Sequence, residues 1–486
     1  MSEGIANGGM TAPWPRIIQG GMGVYVSGYP LARAVSRAGQ IGVVSVTAIE
    51  QVFVRKLQLG DVGDALKRAA SHFPDNNLVK RVWERYSVPK TADKPYQVPT
   101  WRANPKKSLV ELSVLAAFCE VWLAREGHKG QVGINMMQKL QLPTLPYLYG
   151  ALLAKIDYLL VGAGIPSQFS GFVDTLTKHL PTRMRLTVAS PASGEARGGH
   201  ELHFDPKEYV DVDLPDTHRP RFLPIITSHI LAKHLLAKAG QIDGFIVENP
   251  TAGGHNAPPR QSGLLNELGE PVYSRKDDCD LAEMRNLGVP FYLAGGYGDP
   301  VAFQQALSEG AAGVQVGTPF ALCEESGITR QMKDKLMDEI EADNLSILAS
   351  ATVSPTGFPF QLAQVEGSLT QACVYESRTR ICDVGLLVEL YEKEDGSFGT
   401  RCSAEPREVY EMKGGTAEGS EGRRCLCNGL LSTVGLPQFR KKRGLTMLTE
   451  EPPVVTLGKD LSAVRHFMAQ GQRVYSATDV IEHITG

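Results

Sequence analysis

One stretch of the chain carries a candidate proton-transfer group just past a predicted buried strand. Residues 242–259 read IDGFIVENPTAGGHNAPP, and the apolar run at 244–248 predicts a parallel strand. Gly253, Gly254 and His255 follow that strand. Folds of parallel strands keep their chemistry beyond the carboxyl ends of the strands, and glycines let the backbone approach a flat ligand closely. Since an imidazole can abstract or donate a proton near neutral pH, His255 is the candidate catalytic residue, although the local pattern equally fits a histidine at a tight turn.

Two further glycine turns predict a place for a phosphate group. Gly295 and Gly296 follow one apolar run of the chain, and Gly317 and Thr318 follow the next. In barrels of alternating strands and helices, the loops after the seventh and eighth strands bind phosphate through backbone N–H groups. These two turns occur in the expected order, which favours a phosphate site over two tight turns without a ligand.

The elements that would position these residues alternate between strand and helix. Eight strands are predicted, each reached through a helix or a longer insertion, at 16–19, 41–46, 131–136, 158–164, 221–227, 244–248, 291–296 and 313–318. This order predicts an α/β fold, a (β/α)8 TIM barrel. An open doubly wound sheet is the alternative, but it normally has Gly-x-Gly-x-x-Gly after its first strand. Gly20, Gly21 and Gly23 do not have that spacing.

Several segments lie outside this alternation. Residues 1–13 are mostly small and predict a disordered leader. The barrel is expected to span 14–340, with a helical insertion at about 50–106, interpreted as a lid or subdomain, and a hairpin insertion at about 185–205. Residues 341–486 form an appended C-terminal segment that we expect to pack on the barrel and partly over its mouth.

The composition of the chain makes some classes of binding partner unexpected. The 486 residues carry a formal net charge of −3, with 42% hydrophobic and 21% charged residues. Without a basic excess, nucleic acid and membrane surfaces are not expected partners. No apolar run reaches the roughly 18–20 residues of a spanning helix, and the N-terminus lacks a signal-peptide pattern. We therefore expect a cytoplasmic protein whose eight cysteines are thiols or ligands and not disulfides.

The appended segment has a strand-like run at 383–390 and four cysteines, Cys382, Cys402, Cys425 and Cys427. Four thiolates can bind a structural zinc ion. The Cys-x-Cys spacing of the last two is not the usual Cys-x2-Cys, and the chain has no second close pair. Free buried thiols are the favoured interpretation, so no metal is predicted, and these four cysteines remain the candidate ligands.

Six short elements resemble those of one family, in the same order. They are Ile18-Gln19-Gly20-Gly21-Met22-Gly23, Ile134-Asn135-Met136, Val161-Gly162-Ala163-Gly164, Glu248 with Ala252-Gly253-Gly254-His255, Ala294-Gly295-Gly296, and Gln315-Val316-Gly317-Thr318. They are similar to elements of the nitronate monooxygenase family, also called 2-nitropropane dioxygenase-like, which includes flavin-dependent enoyl-ACP reductases. The resemblance covers roughly residues 14–330, and the Ala-Gly-Gly-His element is its most specific part.

This resemblance implies an FMN-binding TIM barrel. It implies that His255 faces the flavin as catalytic base or proton donor, that Gly21 and Met22 lie against the ring, and that Asn135 hydrogen-bonds it. The implied cofactor-binding residues are Gly20, Gly21, Met22, Asn135, Gly162, Gly164, Gly253, Gly254, Gly295, Gly296, Gly317 and Thr318. The segment Asn256-Ala257-Pro258-Pro259 departs from the family, because a glycine commonly stands two positions after the histidine.

The favoured function is FMN-dependent oxidation of alkyl nitronates or nitroalkanes with O2, of the nitronate monooxygenase type, with His255 as base. A nitroalkane needs a base for its α-proton, and an electron acceptor must come from a cofactor. The first alternative is an NAD(P)H-dependent flavin enoyl-ACP reductase, and the second is a non-catalytic flavin-binding scaffold. The expected partner is a small-molecule substrate or one bound to an acyl carrier, and a homodimer is left open.

Overall fold

The structure is a computed structural model that describes residues 14–91, 94–189, 196–261, 263–441 and 448–486. The predicted leader at 1–13 lies outside these ranges. In chain order the strands are β1 (Ile17–Gln19), β2 (Gly42–Ser45), β3 (Val132–Met137), β4 (Tyr158–Gly162), β5 (Thr182–Ala189), β6 (Ala196–Phe204), β7 (Arg221–Ile226), β8 (Phe245–Glu248), β9 (Phe291–Ala294), β10 (Gly313–Val316), β11 (Ile347–Ser350), β12 (Phe360–Ala363), β13 (Glu389–Glu392), β14 (Phe398–Arg401), β15 (Phe439–Lys441) and β16 (Leu448–Glu450).

The helices surround these strands, with a 3-10 turn at Val62–Asp64. They are α1 (Tyr29–Arg37), α2 (Ile49–Gln58), α3 (Ala65–Ala70), α4 (Asn76–Tyr86), α5 (Lys107–Arg125), α6 (Thr144–Leu153), α7 (Phe169–Leu176), α8 (Pro206–Tyr209), α9 (His229–Lys238), α10 (Leu281–Asn286), α11 (Pro300–Ser308), α12 (Thr318–Leu322), α13 (Arg330–Glu341), α14 (Ala372–Ser377), α15 (Arg407–Met412), α16 (Ala417–Ser420), α17 (Leu426–Thr433), α18 (Ser462–Ala469) and α19 (Ala477–Thr485). Within the described part of the chain, no helix is both long enough and apolar enough to cross a bilayer.

Eight of the strands close into a parallel barrel. Their order around it is β1-β10-β9-β8-β7-β4-β3-β2. The barrel closes between β1 and β2, where Gln19 N–H donates to the Ile41 carbonyl and Ile41 N–H donates to the Ile17 carbonyl, both at 3.0 Å. The predicted TIM barrel is therefore confirmed, and each of the eight predicted strands lies in it. The open doubly wound sheet is wrong, because a closed sheet has no edge strand.

Apolar side chains fill the inside of the barrel. Because side chains alternate along a strand, every second residue of a barrel strand faces inward. These positions form a cluster of buried residues, namely Ile18, Ile41, Val43, Tyr158, Leu160, Leu223, Ile246, Tyr292 and Ala294. Trp14 packs on this cluster, with its ring centroid 5.9 Å from that of Tyr158 and 4.2 Å from the Arg221 guanidinium. Because side chains fill the barrel interior, a ligand site is expected in the loops at the strand ends.

The insertion at 50–106 packs on the side of the barrel. Its helices α2, α3 and α4 lie against α5, which is buried over most of its length. The Glu50 carboxylate is buried between them and accepts hydrogen bonds from Trp101 Nε1 at 3.1 Å and from the Tyr147 hydroxyl. Among the described residues, none of 50–106 lines the main cavity. The interpretation of this insertion as a lid is therefore wrong, because its apolar faces are used against α5.

The second insertion is a hairpin that joins the appended segment. β5 and β6 pair antiparallel, and β13 adds to β5 in parallel, with Leu390 opposite Val188. With β14 they form a four-stranded sheet. The predicted hairpin is confirmed, although its turn at 190–195 lies outside the described residues. The strand-like run at 383–390 is corrected, because the strand begins at Glu389 and the residues before it form a loop over the barrel mouth.

The appended segment lies over the carboxyl ends of the barrel strands. β12 runs beside the loop after β8, where Asn256 N–H donates to the Pro359 carbonyl and Gln361 N–H donates to the Gly254 carbonyl, both at 2.9 Å. Gly254 N–H donates to Thr456 Oγ1 at 2.9 Å. The helix α19 then returns to the side of the barrel and packs on α1 and α11. The mouth of the barrel is thus covered by residues that follow the barrel in sequence.

Candidate functional site

A cavity of about 210 Å³ lies at the carboxyl ends of the barrel strands. One wall, which we call the floor, consists of the turns after β1, β9 and β10 and the loop after β8. The floor and the neighbouring strand ends bring together His255 and all but one of the predicted cofactor-binding residues, namely Gly20, Gly21, Met22, Asn135, Gly162, Gly253, Gly254, Gly295, Gly296, Gly317 and Thr318. The other wall, which we call the roof, comes from the appended segment and includes Phe360, Leu386, Leu387, Leu426, Cys427, Leu430 and 456–458.

Two glycines of the floor are required by close contacts inside the protein. A Cβ added to Gly21 would overlap the side chain of Asn135. A Cβ added to Gly253 would lie 2.8 Å from the backbone nitrogen of Gly458 in the roof. The sequence predicts a close approach at these glycines, and the approaching groups are an amide side chain and the roof itself.

The predicted phosphate turns line the cavity with backbone. Gly295 and Gly296 have φ values of +93° and +84°, which residues other than glycine rarely adopt. The Thr318 hydroxyl accepts a hydrogen bond from Gly458 N–H at 2.9 Å, and its own proton remains for donation. Asp299 already caps the start of α11 with its carboxylate. The donors for an anion are therefore the N–H groups of the turns and not the N-terminus of α11.

Gly164 is the predicted cofactor-binding residue that does not line the cavity. Its φ is +141°, and a Cβ there would overlap the side chain of Gln138. Its neighbours Gly162 and Ala163 do line the cavity. Packing within the loop after β4 therefore explains the glycine at position 164, which is not part of the cavity wall.

His255 lines the cavity and is held by the roof. Its Nε2 lies 2.7 Å from Ser354 Oγ, which in turn lies 2.8 Å from Thr356 Oγ1. The imidazole meets the Phe360 ring edge-on, with centroids 4.7 Å apart. No described residue hydrogen-bonds Nδ1, so that nitrogen remains for a ligand. The side chain reaches a cavity as its place in the sequence predicts, but it also packs against protein.

Burial lowers the pKa of His255 to about 4. The cause is the loss of hydration, which disfavours the charged imidazolium. The ring is therefore neutral at pH 7 and can accept a proton.

Glu248 belongs to one of the six sequence elements, but the sequence did not predict a role for it at the site. It ends β8 and lines both the main cavity and a second cavity of about 60 Å³. Burial raises its pKa to about 8. One sequence feature could have identified Glu248. It is a charged residue at the end of an otherwise apolar strand, where a side chain faces either the barrel interior or the cavity.

The appended segment brings together the four cysteines that are the candidate metal ligands. Cys382, Cys402, Cys425 and Cys427 all line one small cavity. Burial raises the pKa of the Cys425 and Cys427 thiols, which keeps them protonated. Among the described residues, no three His, Cys, Asp or Glu side chains are arranged to hold a metal ion. The four thiols are therefore close in space without the geometry of a zinc site, and Cys427 also lines the main cavity.

Comparison with known proteins covers part of the floor, namely the loop after β8 and the turns after β9 and β10. The nitronate monooxygenase family model matches residues 202–353. Two curated relatives carry the nitronate monooxygenase name. One, from Saccharomyces cerevisiae, is 31% identical over 137 residues, which are 26% of this chain and 33% of that protein. The other, from Bacillus subtilis, is 31% identical over 117 residues, which are 24% of this chain and 32% of that protein. The match thus spans about a third of the length of these relatives.

Two solved structures are similar to this chain at a low level. FabK from Thermotoga maritima has a TM-score of 0.38 and 16% identity, covering 77% of this chain and 84% of that chain. Nitroalkane oxidase from Streptomyces ansochromogenes has a TM-score of 0.38 and 17% identity, covering 72% and 77%. At this level they add nothing to the closed sheet described above. The family model and the two curated relatives agree with the resemblance to the nitronate monooxygenase family, and the matched residues 202–353 include three of the six sequence elements, those of His255, Gly295-Gly296 and Gly317-Thr318.

Proposed function

We propose that this protein is an FMN-dependent oxidoreductase that oxidises alkyl nitronates or nitroalkanes with O2, with His255 as the base. The observation that supports this most is a neutral, half-buried imidazole in a cavity whose floor is made of glycine turns. A neutral imidazole can take a proton at pH 7, and a floor of backbone suits a flat ring. The names of the curated relatives favour the same class of reaction.

The floor fits FMN in shape and in donors. Gly20, Gly21 and Met22 would lie against the ring system, and Asn135 would offer its amide to a ring heteroatom. The turns at 295–296 and 317–318 would hold the phosphate through backbone N–H groups and the Thr318 hydroxyl. When bound, FMN supplies the electron acceptor that amino-acid side chains do not provide.

His255 would remove the proton from the carbon that bears the nitro group. In the tautomer with its proton on Nε2, that N–H donates to Ser354 Oγ, and Nδ1 carries the lone pair that accepts the proton. With a pKa of about 4 the imidazole is a weak base, so its rate advantage would come mainly from orientation. A preformed nitronate needs no proton removal and would depend less on His255.

An NAD(P)H-dependent enoyl-ACP reductase is the second candidate, and one observation favours it. The roof presents apolar side chains to the cavity, among them Phe360, Leu386 and Leu387, which suits the methylenes of an acyl chain from a carrier. The neutral charge state of His255 disfavours the reductase. A proton donor works best when it is protonated at the working pH, and a group with a pKa of about 4 is not.

The first test is whether the protein carries a flavin. We expect the purified protein to be yellow, with the absorption bands of an oxidised flavin, and to release FMN on denaturation. Added FMN should raise the Tm of any cofactor-free fraction. A colourless protein whose Tm does not respond to FMN would overturn the proposal.

The second test separates the two reactions by rapid mixing without oxygen. Bleaching of the bound flavin by a propyl nitronate supports the nitronate monooxygenase type of oxidation. Fast bleaching by NADPH together with none by the nitronate supports the reductase. If neither reagent bleaches the flavin, the protein is the non-catalytic flavin-binding scaffold.

A further inference from the structure

Another cavity, of about 270 Å³, lies beside the main cavity, and we call it the side chamber. Its wall is formed by the loop after β3, the strand β5, the loop at 355–357 and the appended strands β13 and β14. Leu387 lines both the side chamber and the main cavity. The two cavities are therefore neighbours that share one apolar side chain.

The wall of the side chamber has an excess of positive charge. Its charged residues are Lys139, Arg401 and Arg423 and one carboxylate, Glu389. The Arg401 Nε donates to the Glu389 carboxylate at 2.6 Å, so this pair is neutral as a whole. Lys139 contacts the Phe358 ring, and neither it nor Arg423 forms an ion pair with a described carboxylate. Two uncompensated cations at one cavity favour the binding of an anion with two charges.

Hydrogen bonds hold the guanidinium of Arg423 in place without neutralising it. Its Nε donates to the Gly419 carbonyl at 3.1 Å, and its Nη1 donates to the carbonyls of Thr352 and Ser354. Its Nη2 donates to no described residue. A guanidinium oriented by neutral carbonyls keeps its full charge, so it can bind an oxyanion without first losing side-chain freedom.

The side chamber also adjoins the residues that hold His255. The Ser354 whose carbonyl accepts from Arg423 has its hydroxyl 2.7 Å from His255 Nε2. Thr356 lines the side chamber, and its hydroxyl lies 2.8 Å from that of Ser354. A ligand held in the side chamber therefore lies close to the group proposed as base, and Leu387 is the side chain that it would pass to reach the main cavity.

We propose that the side chamber binds a phosphate monoester whose organic part extends past Leu387 into the main cavity. A phosphate monoester carries nearly two negative charges at pH 7, which matches the two uncompensated cations. Its oxygens can accept hydrogen bonds from a guanidinium and an ammonium together. A carboxylate would leave one of the two cations without a counter-charge. This binding needs neither flavin nor turnover, so it does not depend on the proposed function.

Two pairs of compounds that differ by one phosphate monoester test the proposal. NADP+ carries a 2′-phosphate that NAD+ lacks, and coenzyme A carries a 3′-phosphate that dephospho-coenzyme A lacks. Titration calorimetry on the purified protein, with its flavin content measured, gives the four affinities. We expect the phosphate to tighten binding about tenfold or more in at least one pair, through hydrogen bonds to charged donors. The pair that responds identifies the source of the monoester, and no response in either pair would overturn the proposal.

Three variants assign this preference for the phosphate to the side chamber. Lys139→Gln removes an exposed ammonium and should reduce the preference about 2–5-fold. Arg423→Gln removes the oriented guanidinium and should reduce it further. Lys129→Gln is the matched control, because Lys129 is an exposed lysine before β3 and Lys139 follows the same strand. It should keep the wild-type preference. If both Lys139→Gln and Arg423→Gln also keep it, the phosphate binds elsewhere and the proposal is wrong.

A salt titration of the wild-type protein judges the proposal even if Arg423→Gln folds poorly. The ratio of the two affinities within the responding pair should fall as NaCl rises from about 0.05 M to about 0.5 M, because salt screens charges that solvent reaches. A ratio that does not change with salt would show that the added phosphate is not held by these cations, which contradicts the proposal. Because the measurement compares two ligands on one protein, it is independent of flavin content and of turnover.

Discussion

The floor and the roof of the cavity are built by different means. The floor is mainly backbone, in turns whose positions follow from a closed barrel of parallel strands. The roof is mainly apolar side chains, on a segment that runs over the barrel mouth largely as loops and short helices. Backbone turns suit a cofactor of fixed shape, whereas side chains can differ in size and so select a substrate. Under the proposed function, the floor would hold the flavin and the roof would determine which substrate reaches it.

His255 stands where these two walls meet. Its loop belongs to the floor, but Ser354 and Phe360, which hold its ring, belong to the appended segment. This position of His255 leads to a clear expectation for substitutions. Changes at the meeting point should affect proton transfer, and changes within one wall should affect either the flavin or the substrate.

The largest effect is expected from His255→Ala. Turnover of a neutral nitroalkane should fall about 10²–10⁴-fold, with a smaller loss for the preformed nitronate. Flavin content should persist, because the proposed flavin contacts come from other turns. The free energy of unfolding should fall by about 1–3 kcal/mol, since the ring packs on Phe360 and is bonded to Ser354. Steady-state kinetics with both substrates, flavin absorbance and thermal unfolding check this.

His234→Ala is the matched control, because His234 is exposed on α9 away from the cavity. It should leave turnover and flavin content unchanged. If His255→Ala loses the flavin, the histidine is part of the floor's structure. If it turns over normally with full flavin, another group is the base.

A smaller effect is expected from Gly253→Ala, which pushes the floor and the roof apart. The new Cβ would lie 2.8 Å from a backbone nitrogen of the roof, so the roof must move. We expect a loss of about 1–3 kcal/mol in the free energy of unfolding, as for overpacking of a core. Gly171→Ala in α7 is the control, because a Cβ there meets nothing within 4 Å. Equal Tm values for the two variants would show that the roof is not fixed to the floor at this point.

The smallest effect is expected from Ser354→Ala, which removes the hydroxyl bonded to His255 Nε2. A hydrogen bond worth about 0.5–1.5 kcal/mol corresponds to a fall of roughly 2–13-fold in kcat for a nitroalkane. KM should change little, and kcat for the preformed nitronate should stay close to wild type. Ser308→Ala, at an exposed position of α11, is the control. An equal loss with both substrates would show that Ser354 shapes the roof and does not orient the base.

The barrel and its floor were predictable because local patterns determine them. The apolar run predicted at 244–248 is the strand Phe245–Glu248, and the glycine turns after β9 and β10 lie where the sequence predicts them. The partners of His255 were not predictable in this way. Ser354 lies 99 residues further along the chain, in a segment without periodic pattern, so only the folded structure brings it to the imidazole. Leu387 was missed for a related reason, because its run looks like a strand but forms a loop over the cavity.

The hydrogen bond from Gly254 to Thr456 joins residues that are 202 positions apart in the chain. During synthesis at about 5–20 residues per second, the ribosome would need about 10–40 s to make the intervening residues. Ser354 and Phe360, which hold the His255 ring, are made about halfway through that interval, and Thr456, which fixes the backbone of the neighbouring Gly254, is made only at its end. We expect a ribosome-bound chain to lack the proposed activity until this contact forms, so the order of synthesis delays the completion of the site.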